Sequence, residues 1–343
     1  MRKALLQFIS YYLPNRILDN NMIAQEHPEW SIEKIATKTG IEQRHISDED
    51  EFASDLAICA SEKLFAEYNI DKLSVDFILL CTQSPDYFLP TTACVLQDKL
   101  GLSKKCGALD FNLGCSGYIY GLGLAKGLIL SGQANKVLLV TAETYSKYIH
   151  PQDKSNKTIF GDGAAATLIT SEFLKDGLNA EISEFEYGTD GSGAFDLVVK
   201  NGASRHKKDK GHDCYEEDSF IRNDSNLYMD GKAIFNFTAF TVPKLIKAVL
   251  EKNNYNLEAI DLAIFHQANE YMLNVVRTRC GIEKAKFYVN FKDAGNTVSS
   301  TIPIALKRAI NDRTLTDKST VLLAGFGVGL SMGATILKLS KND

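Results

Sequence analysis

The stretch LDFNLGCSGYIYGLGLAKGLILSG, residues 109–132, joins a short apolar run to a glycine-rich helix through a turn that contains Cys115. The apolar run predicts the end of a buried strand, and residues 116–131 predict a helix that ends at Gly132. This helix is apolar on nearly every side, which is typical of a helix in the middle of a large core. Its glycines, at positions 117, 121, 123 and 127, indicate that other parts of the chain pack closely against its backbone.

Cys115 is the candidate nucleophile of this stretch. Unpaired N–H groups and the positive end of the helix dipole meet at the start of a helix, so they favour a thiolate and predict a pKa below the free-cysteine value of about 8.5. The alternative is a buried and inert cysteine, which is the commoner state of this residue type. The stretch by itself leaves both interpretations open.

The composition is that of a globular protein. With 343 residues, of which 45% are hydrophobic and 24% charged, the chain is long enough for one large core or two fused ones. A net charge of −5 without a long Lys/Arg block argues against nucleic acid as a partner. No run reaches about 18 uninterrupted apolar residues, so no membrane span is expected. The N-terminal residues predict a first strand rather than a signal peptide.

The seven cysteines, at positions 59, 81, 94, 106, 115, 214 and 280, form an odd set without a CxxC pair. Most of them lie in apolar runs, which fits a reducing compartment better than a disulfide framework or a zinc site. The sequence therefore predicts a cytoplasmic protein without a metal site.

Apolar runs alternate with helical spacing along the chain. Helices are predicted over residues 20–40 with a break at Pro28, and over 52–68, 91–100 and 233–252; buried strands are predicted over 76–81, 136–141 and 161–169. Residues 39–47 are interpreted as a charged loop. Residues 201–226 mix both signs of charge with few apolar residues, which is typical of a solvated surface excursion or a mobile loop.

Two halves of the chain repeat each other at an offset of 181–185 residues. The matching pairs are 69–85 with 254–270, 114–129 with 295–310, and 136–143 with 320–327. Each half alternates strands and helices, which predicts a mostly parallel sheet with covered faces and two similar halves about a pseudo-twofold axis.

The repeat brings three polar residues together. Cys115 occupies the turn from strand to helix in the first half, and Asn296 occupies the equivalent turn in the second. His266 follows the strand that matches the one ending at Cys81. Because α/β proteins collect functional groups at the carboxyl ends of strands and the amino ends of helices, we expect Cys115, His266 and Asn296 to share one site.

These residue types suit acyl transfer followed by enolate formation. A cysteine thiolate exchanges acyl groups with thioesters. An imidazole N–H and an amide NH₂ aimed at one carbonyl oxygen would stabilise an enolate there, and no general base is needed if the enolate forms by loss of CO₂. The glycine-rich tail AGFGVGLSMGAT, residues 324–335, is suited to placing a backbone N–H beside the cysteine.

The sequence resembles the β-ketoacyl-acyl-carrier-protein synthase III family of thiolase-fold condensing enzymes over essentially its whole length. The motifs that carry the resemblance are TGIEQRHI (39–46), GCSG (114–117), FGDGAAA (160–166), HQAN (266–269), GNTVSSTIP (295–303) and GFGVGLSMG (325–333). The resemblance implies an α/β thiolase-like fold with layers in the order α-β-α-β-α, divided into a half over residues 1–172 and a half over 173–343.

The resemblance also implies roles for individual residues. Cys115 would carry the acyl group, and His266 and Asn296 would hold the malonyl carbonyl during decarboxylation. Backbone N–H groups of Cys115 and Val328 would form the oxyanion hole. The acyl pocket would include Leu89, contributed across a homodimer, and Met229; the residues that would contact coenzyme A or the carrier protein are Lys38, Arg44, Lys154 and Asn269.

The implied substrates are acyl-coenzyme A or phosphopantetheine-carrier thioesters together with malonyl-acyl-carrier protein or malonyl-coenzyme A, with no permanently bound cofactor. The sequence departs from the family where Lys38, Lys154 and Tyr271 stand in place of usual arginines. The only tryptophan, Trp30, lies further upstream than usual. A lysine ammonium is a point charge, whereas an arginine guanidinium can donate two parallel hydrogen bonds to one phosphate. These changes therefore predict weaker use of acetyl-coenzyme A.

Other functions remain open at this point. A non-decarboxylating acyltransferase would move the Cys115 acyl group to a hydroxyl, amine or sugar. A thiolase would need a second catalytic cysteine, which the tail turn lacks. A papain-like hydrolase also uses Cys, His and Asn, but GCSGY lacks the sequence that surrounds the papain cysteine. A catalytically silent partner subunit is a further alternative, but such a subunit would not need to keep Cys115, His266 and Asn296 intact.

Overall fold

The computed structural model describes residues 2–207, 211–217 and 219–340. Residues 1, 208–210, 218 and 341–343, which fall in the predicted halves and in the charged segment, lie outside this range. The described residues form sixteen strands and nine α-helices.

The strands are β1 Leu5–Tyr12, β2 Arg16–Asp19, β3 Gln43–Ile46, β4 Phe77–Cys81, β5 Gly107–Phe111, β6 Lys136–Glu143, β7 Gly163–Thr170, β8 Ala180–Ile182, β9 Glu186–Thr189, β10 Leu197–Val198, β11 Cys214–Glu216, β12 Ser219–Arg222, β13 Tyr228–Met229, β14 Leu262–Phe265, β15 Thr320–Gly327 and β16 Ser331–Lys338. The helices are α1 Asn20–Glu26, α2 Ile32–Thr39, α3 Ala53–Glu67, α4 Thr92–Lys99, α5 Gly117–Leu130, α6 Lys154–Lys157, α7 Gly231–Lys252, α8 Glu270–Arg279 and α9 Thr301–Asn311.

The sheet repeats one connectivity in its two parts. Its strand order is β14-β15-β16-β8-β1-β7-β6-β4-β5, with β9 also paired to β16. In the first part β4 is parallel to β6, which is antiparallel to β7, which is antiparallel to β1. In the second part β14 is parallel to β15, which is antiparallel to β16, which is antiparallel to β8. The three sequence matches therefore align β4 with β14, α5 with α9 and β6 with β15.

Three hydrophobic clusters correspond to the layers of the fold. One packs α3 and α4 against the strands of the first part, and another packs α7 and α8 against the strands of the second part. The third contains α5 and α9 together with strands from both parts. The predicted α-β-α-β-α layering is confirmed. The predicted mostly parallel sheet is wrong, because six of the nine strand pairings in the described sheet are antiparallel. The boundary between residues 172 and 173 falls between β7 and β8 and stays a prediction.

Local sequence explains where the short helix α2 begins and ends. The Ser31 side chain accepts a hydrogen bond from Lys34 N–H and so begins α2 after the break at Pro28. Gly40 ends α2 with φ of 74°, a left-handed conformation that glycine adopts without steric cost.

The predicted helices and strands outside residues 39–47 are all present, with bounds within a few residues of the prediction.

The structure corrects three local predictions. Residues 39–47 are not only loop, because β3 pairs with β2. The strand before Cys115 is not buried: β5 is the outermost strand of the sheet, and Leu109 is 44% exposed. The described part of the charged segment lies largely at the surface, as predicted, but it includes the paired strands β11 and β12 and is not loop alone.

Within the described ranges, α7 is the one helix whose length and composition would suffice for a membrane span. However, 44% of its apolar stretch is buried inside the fold, with side chains such as Val242 and Val249 fully enclosed. A core helix of a globular domain meets the same criteria, so we assign α7 to the outer layer of the second part.

The glycines of α5 give a matched pair for testing the packing of the central layer. A Cβ on Gly121 would lie 2.5 Å from Leu139 Cδ1 and 3.0 Å from Phe111 Cζ, whereas a Cβ on Gly127 would meet nothing within 4 Å. We expect Gly121→Ala to lower the free energy of unfolding by about 1–3 kcal/mol through overpacking. Gly127→Ala should raise it by about 0.5–1 kcal/mol, because alanine has the higher helix propensity. Urea denaturation of both variants measures the difference, and equal effects would contradict the packing.

Candidate active site

A cavity of about 650 Å³ opens at the junction of the two parts of the sheet. Cys115, His266 and Asn296 all line it, as the duplication predicts. Most of the remaining wall is apolar and includes Phe160, Leu197, Met229, Ile234, Met272 and Phe326. The cavity therefore combines three polar groups of defined chemistry with room for an apolar chain.

Cys115 lies in the turn just before α5 and is 5% exposed. Strand β15 packs directly on this turn, since a Cβ on Gly325 would lie 2.8 Å from the Cys115 carbonyl oxygen. A Cβ on Gly327 would likewise lie 2.8 Å from the sulfur. Glycine at both positions lets the strand approach the nucleophile closely.

The pKa of Cys115 differs from the sequence prediction. Burial raises it to about 12, and the charge of Glu143 acts in the same direction, while hydrogen bonds from the backbone N–H groups of Val328 and of Cys115 itself oppose the rise. The predicted lowering of this pKa by the helix start is therefore wrong. The cause is that burial removes the hydration of the thiolate, and the hydrogen bonds from the nearby N–H groups stabilise the thiolate by less than the hydration that is lost.

His266 follows β14 and is held on both sides. Its backbone N–H extends the strand ladder to Ala324, and its Nδ1 lies 2.8 Å from the hydroxyl of Thr301. The ring of Phe326 packs edge-on against the imidazole at 5.9 Å between centroids. Burial lowers the pKa of His266 to about 3, so the ring is neutral at physiological pH.

Asn296 is fixed by its backbone and by one atom of its side chain. Its N–H donates to the Ile159 carbonyl, and its own carbonyl accepts from Gly161 N–H. Its Oδ1 accepts a hydrogen bond of 2.9 Å from Val298 N–H. Since the oxygen of the amide is engaged, the Nδ2 group is the donor left for a ligand in the cavity.

The predicted binding residues other than Arg44 fall into three groups. Lys38, Asn269 and Met229 line the cavity, and the Asn269 side chain also caps α8. Lys154 lies beside the rim, where it forms an ion pair of 2.7 Å with Glu29. Leu89 lies away from the cavity on an exposed loop.

Arg44 does not reach the cavity, and its predicted contact with coenzyme A or the carrier protein is corrected. Its side chain is fully buried; Nε and Nη2 donate to the Thr158 carbonyl, and Nη1 donates to Asn20 Oδ1. Burial lowers its pKa to about 9. A Cβ on Gly295 would lie 2.9 Å from its Cγ, so Arg44 supports the turn that precedes Asn296.

Sequence reasoning missed the groups that support the site. Glu143 is fully buried, and burial raises its pKa to about 8. It accepts hydrogen bonds from Gln83 N–H, Ser84 and Ser299. Its position after a predicted strand was a signal, but its partners come from distant parts of the chain. The described residues hold no cluster of three or more His, Cys, Asp or Glu side chains placed for a metal ion.

Comparison with known proteins identifies the family. Residues 109–191 match the sequence model of 3-oxoacyl-[acyl-carrier-protein] synthase III, and residues 250–339 match the model of its C-terminal part. The chain is 38% identical over 339 residues to a β-ketoacyl-[acyl-carrier-protein] synthase III of Clostridium perfringens, with 99% of this chain and 100% of that protein covered.

Solved structures agree with the sequence comparison. A crystal structure of a 3-oxoacyl-(acyl-carrier-protein) synthase III superposes with a TM-score of 0.94 at 44% identity, covering 98% of this chain and 100% of the other. A 3-oxoacyl-(acyl-carrier protein) synthase of Burkholderia xenovorans has a TM-score of 0.88 at 32% identity, covering 99% and 95%. The chain belongs to the 3-oxoacyl-[acyl-carrier-protein] synthase III family of thiolase-fold condensing enzymes.

Proposed function

We propose that this chain catalyses a decarboxylative Claisen condensation through an acyl-Cys115 intermediate. In the first step the Cys115 sulfur attacks the carbonyl of an acyl thioester, and the thiol proton goes to the departing donor thiolate when the donor C–S bond breaks. The oxyanion of the tetrahedral intermediate accepts from the backbone N–H groups of Cys115 and Val328, whose direction toward the sulfur supports this assignment.

The second step uses His266 and Asn296. The bond between the carboxylate carbon and C2 of a malonyl thioester breaks, CO₂ leaves, and the electron pair forms an enolate whose oxygen is held by both side chains. The C2 carbon then attacks the acyl carbon on Cys115, and the Cys115 thiolate leaves with a β-ketoacyl product released. No base is needed, because the loss of CO₂ supplies the carbanion.

One observation carries the proposal. The Asn296 Oδ1 is bound by Val298 N–H, so the amide can only donate toward the cavity that the neutral His266 and Cys115 also line. Two neutral donors beside an acyl-accepting sulfur suit an enolate oxygen. An acyl transfer to a hydroxyl would instead need a base.

We expect purified protein mixed with an acyl thioester donor to gain one acyl group on Cys115 in intact-protein mass spectrometry, and to release CO₂ when a malonyl thioester is added. Cys115→Ala should abolish both. Replacement of the exposed Cys59, Cys94 or Cys214 should leave both unchanged. An acyl-enzyme that releases no CO₂ from any malonyl donor would favour the acyltransferase that uses a hydroxyl, amine or sugar acceptor.

The rim of the cavity bears on the choice of donor. Trp30 is 9% exposed, and the ammonium groups of Lys38 and Lys34 lie 5.0 and 5.4 Å from the centroid of its ring. Lys154 is 6.0 Å from the same ring and is paired with Glu29. The lysine side chains thus cover much of the Trp30 ring face on which a nucleobase could stack, while their ammonium groups still attract phosphate. We infer that the site depends less on the adenine of coenzyme A than on phosphopantetheine.

We therefore expect a higher kcat/KM with a carrier-bound acyl donor than with the same acyl group on coenzyme A, and better use of longer acyl chains than of acetyl. The apolar cavity wall provides the space for such chains. Steady-state kinetics across chain lengths on both carriers measures this. A strong preference for acetyl-coenzyme A would contradict it.

We also propose that two copies form a homodimer through the loop after β4 and the outer strand β5. Phe88 and Leu89 are 86% and 83% exposed, and Leu109 of β5 adds further apolar surface. Large exposed apolar side chains on neighbouring segments indicate an interaction surface. An unpaired edge strand can also be extended by a second copy. Leu89 would then close the acyl pocket of the neighbour.

Light scattering should give about twice the chain mass of 37.9 kDa at micromolar concentration. Leu89→Asp should shift the protein toward the monomer, because a charge would be buried in the apolar contact. Leu73→Asp is the matched control, since Leu73 is 67% exposed at the opposite end of β4. A monomeric wild type, or equal effects of the two substitutions, would count against the dimer.

The remaining proposals follow from the same chemistry. The partners are acyl-coenzyme A, acyl carrier protein and malonyl-acyl-carrier protein or malonyl-coenzyme A. The cysteine pattern supports a cytoplasmic location, since all seven cysteines are free. No permanently bound cofactor is required by the two steps.

A further inference from the structure

The Thr301 side chain contacts both the imidazole of His266 and the backbone carbonyl of Val298. Thr301 is the first residue of α9 and is 3% exposed. Its Oγ1 lies 2.8 Å from His266 Nδ1 and 3.1 Å from the Val298 carbonyl oxygen. The hydroxyl is therefore positioned between a ring nitrogen and a backbone acceptor.

A hydroxyl carries only one proton, so these two contacts cannot both be donations by Thr301. If the proton points to the Val298 carbonyl, His266 must donate from Nδ1, and Nε2 is left as an acceptor. If the proton points to Nδ1, the ring carries its hydrogen on Nε2. Burial lowers the pKa of His266 to about 3, so the ring has one N–H and must take one of the two forms.

Only the second form gives a donor for the enolate. Nδ1 is engaged by Thr301, which leaves Nε2 as the ring nitrogen for a ligand in the cavity that His266 lines. An Nε2 without a hydrogen would present a lone pair to the developing negative charge and repel it. Resting on the proposed condensation, we propose that the Thr301 hydroxyl donates to His266 Nδ1 and so fixes the tautomer in which Nε2 carries the proton.

The assignment makes Thr301 a positioning residue that parallels Val298. The Val298 N–H fixes the oxygen of the Asn296 amide, and the Thr301 hydroxyl fixes the proton of His266. Both neutral side chains are thereby turned into donors toward one point. Removing the hydroxyl should affect only the His266 donor and leave Cys115 able to accept an acyl group.

The test uses three variants. Thr301→Val keeps the shape of the side chain and removes the hydroxyl, and Thr301→Ser keeps the hydroxyl. Thr335→Val is the matched control, because it removes another fully buried threonine hydroxyl, which bonds the Ser183 and Glu184 carbonyls instead of His266. Radiolabelled acyl transfer to Cys115 and CO₂ release from a malonyl thioester are measured for each.

We expect Thr301→Val to lower CO₂ release by about 10²–10³-fold, the loss typical of removing one oxyanion donor, with acylation nearly unchanged. Thr301→Ser should restore CO₂ release, and Thr335→Val should leave both rates near those of the wild type. Normal CO₂ release by Thr301→Val, or an equal fall in acylation and CO₂ release, would overturn the assignment.

Nitrogen-15 NMR of the imidazole provides a readout that does not depend on activity. The wild type labelled in histidine should show the His266 proton on Nε2, and Thr301→Val should show a shift of the proton toward Nδ1. A wild-type proton on Nδ1 would overturn the assignment even if the valine variant failed to fold. A wild type that releases no CO₂ but keeps the Nε2 proton would instead refute the proposed condensation alone.

Discussion

The active site depends on the backbone conformation of Val298. This β-branched residue is fully buried and has φ of 56°, in the left-handed region that such residues rarely occupy. A conformation of this kind costs about 1–3 kcal/mol and persists only where the surroundings enforce it. In return, the Val298 N–H faces Asn296 and its carbonyl faces Thr301, so one residue orients the supports of both polar side chains.

Contacts from the first part of the fold hold this turn in place. The hydroxyl of Ser299 donates to Glu143, and the hydroxyl of Ser300 bonds Thr141. Glu143 also accepts from the backbone of Gln83, at the start of the loop that carries Leu89. The strained turn and the proposed dimer loop therefore share one buried set of hydrogen bonds, and this explains why the site requires both repeats.

The internal repeat explains how much of the site the sequence could predict. Cys115 and Asn296 were placed because they occupy equivalent turns, and His266 was placed because its strand matches β4. Arg44 was misplaced because a charged residue in a motif suggests a ligand, whereas here it is buried beneath a turn. Thr301 and Glu143 were missed because their contacts with His266 and Ser299 join segments that are far apart in the chain. The pKa of Cys115 depends on burial, which local sequence does not determine.

The central claim is that Asn296 acts in decarboxylation and not in acylation. The direct measurement pairs radiolabelled acyl transfer to Cys115 with CO₂ release from a malonyl thioester in Asn296→Ala. Asn179→Ala is the control, since Asn179 is also buried but bonds the Leu174 and Gly177 carbonyls. We predict that Asn296→Ala keeps acyl transfer and loses CO₂ release by about 10²–10³-fold. An equal loss of acylation and CO₂ release in Asn296→Ala would contradict the account.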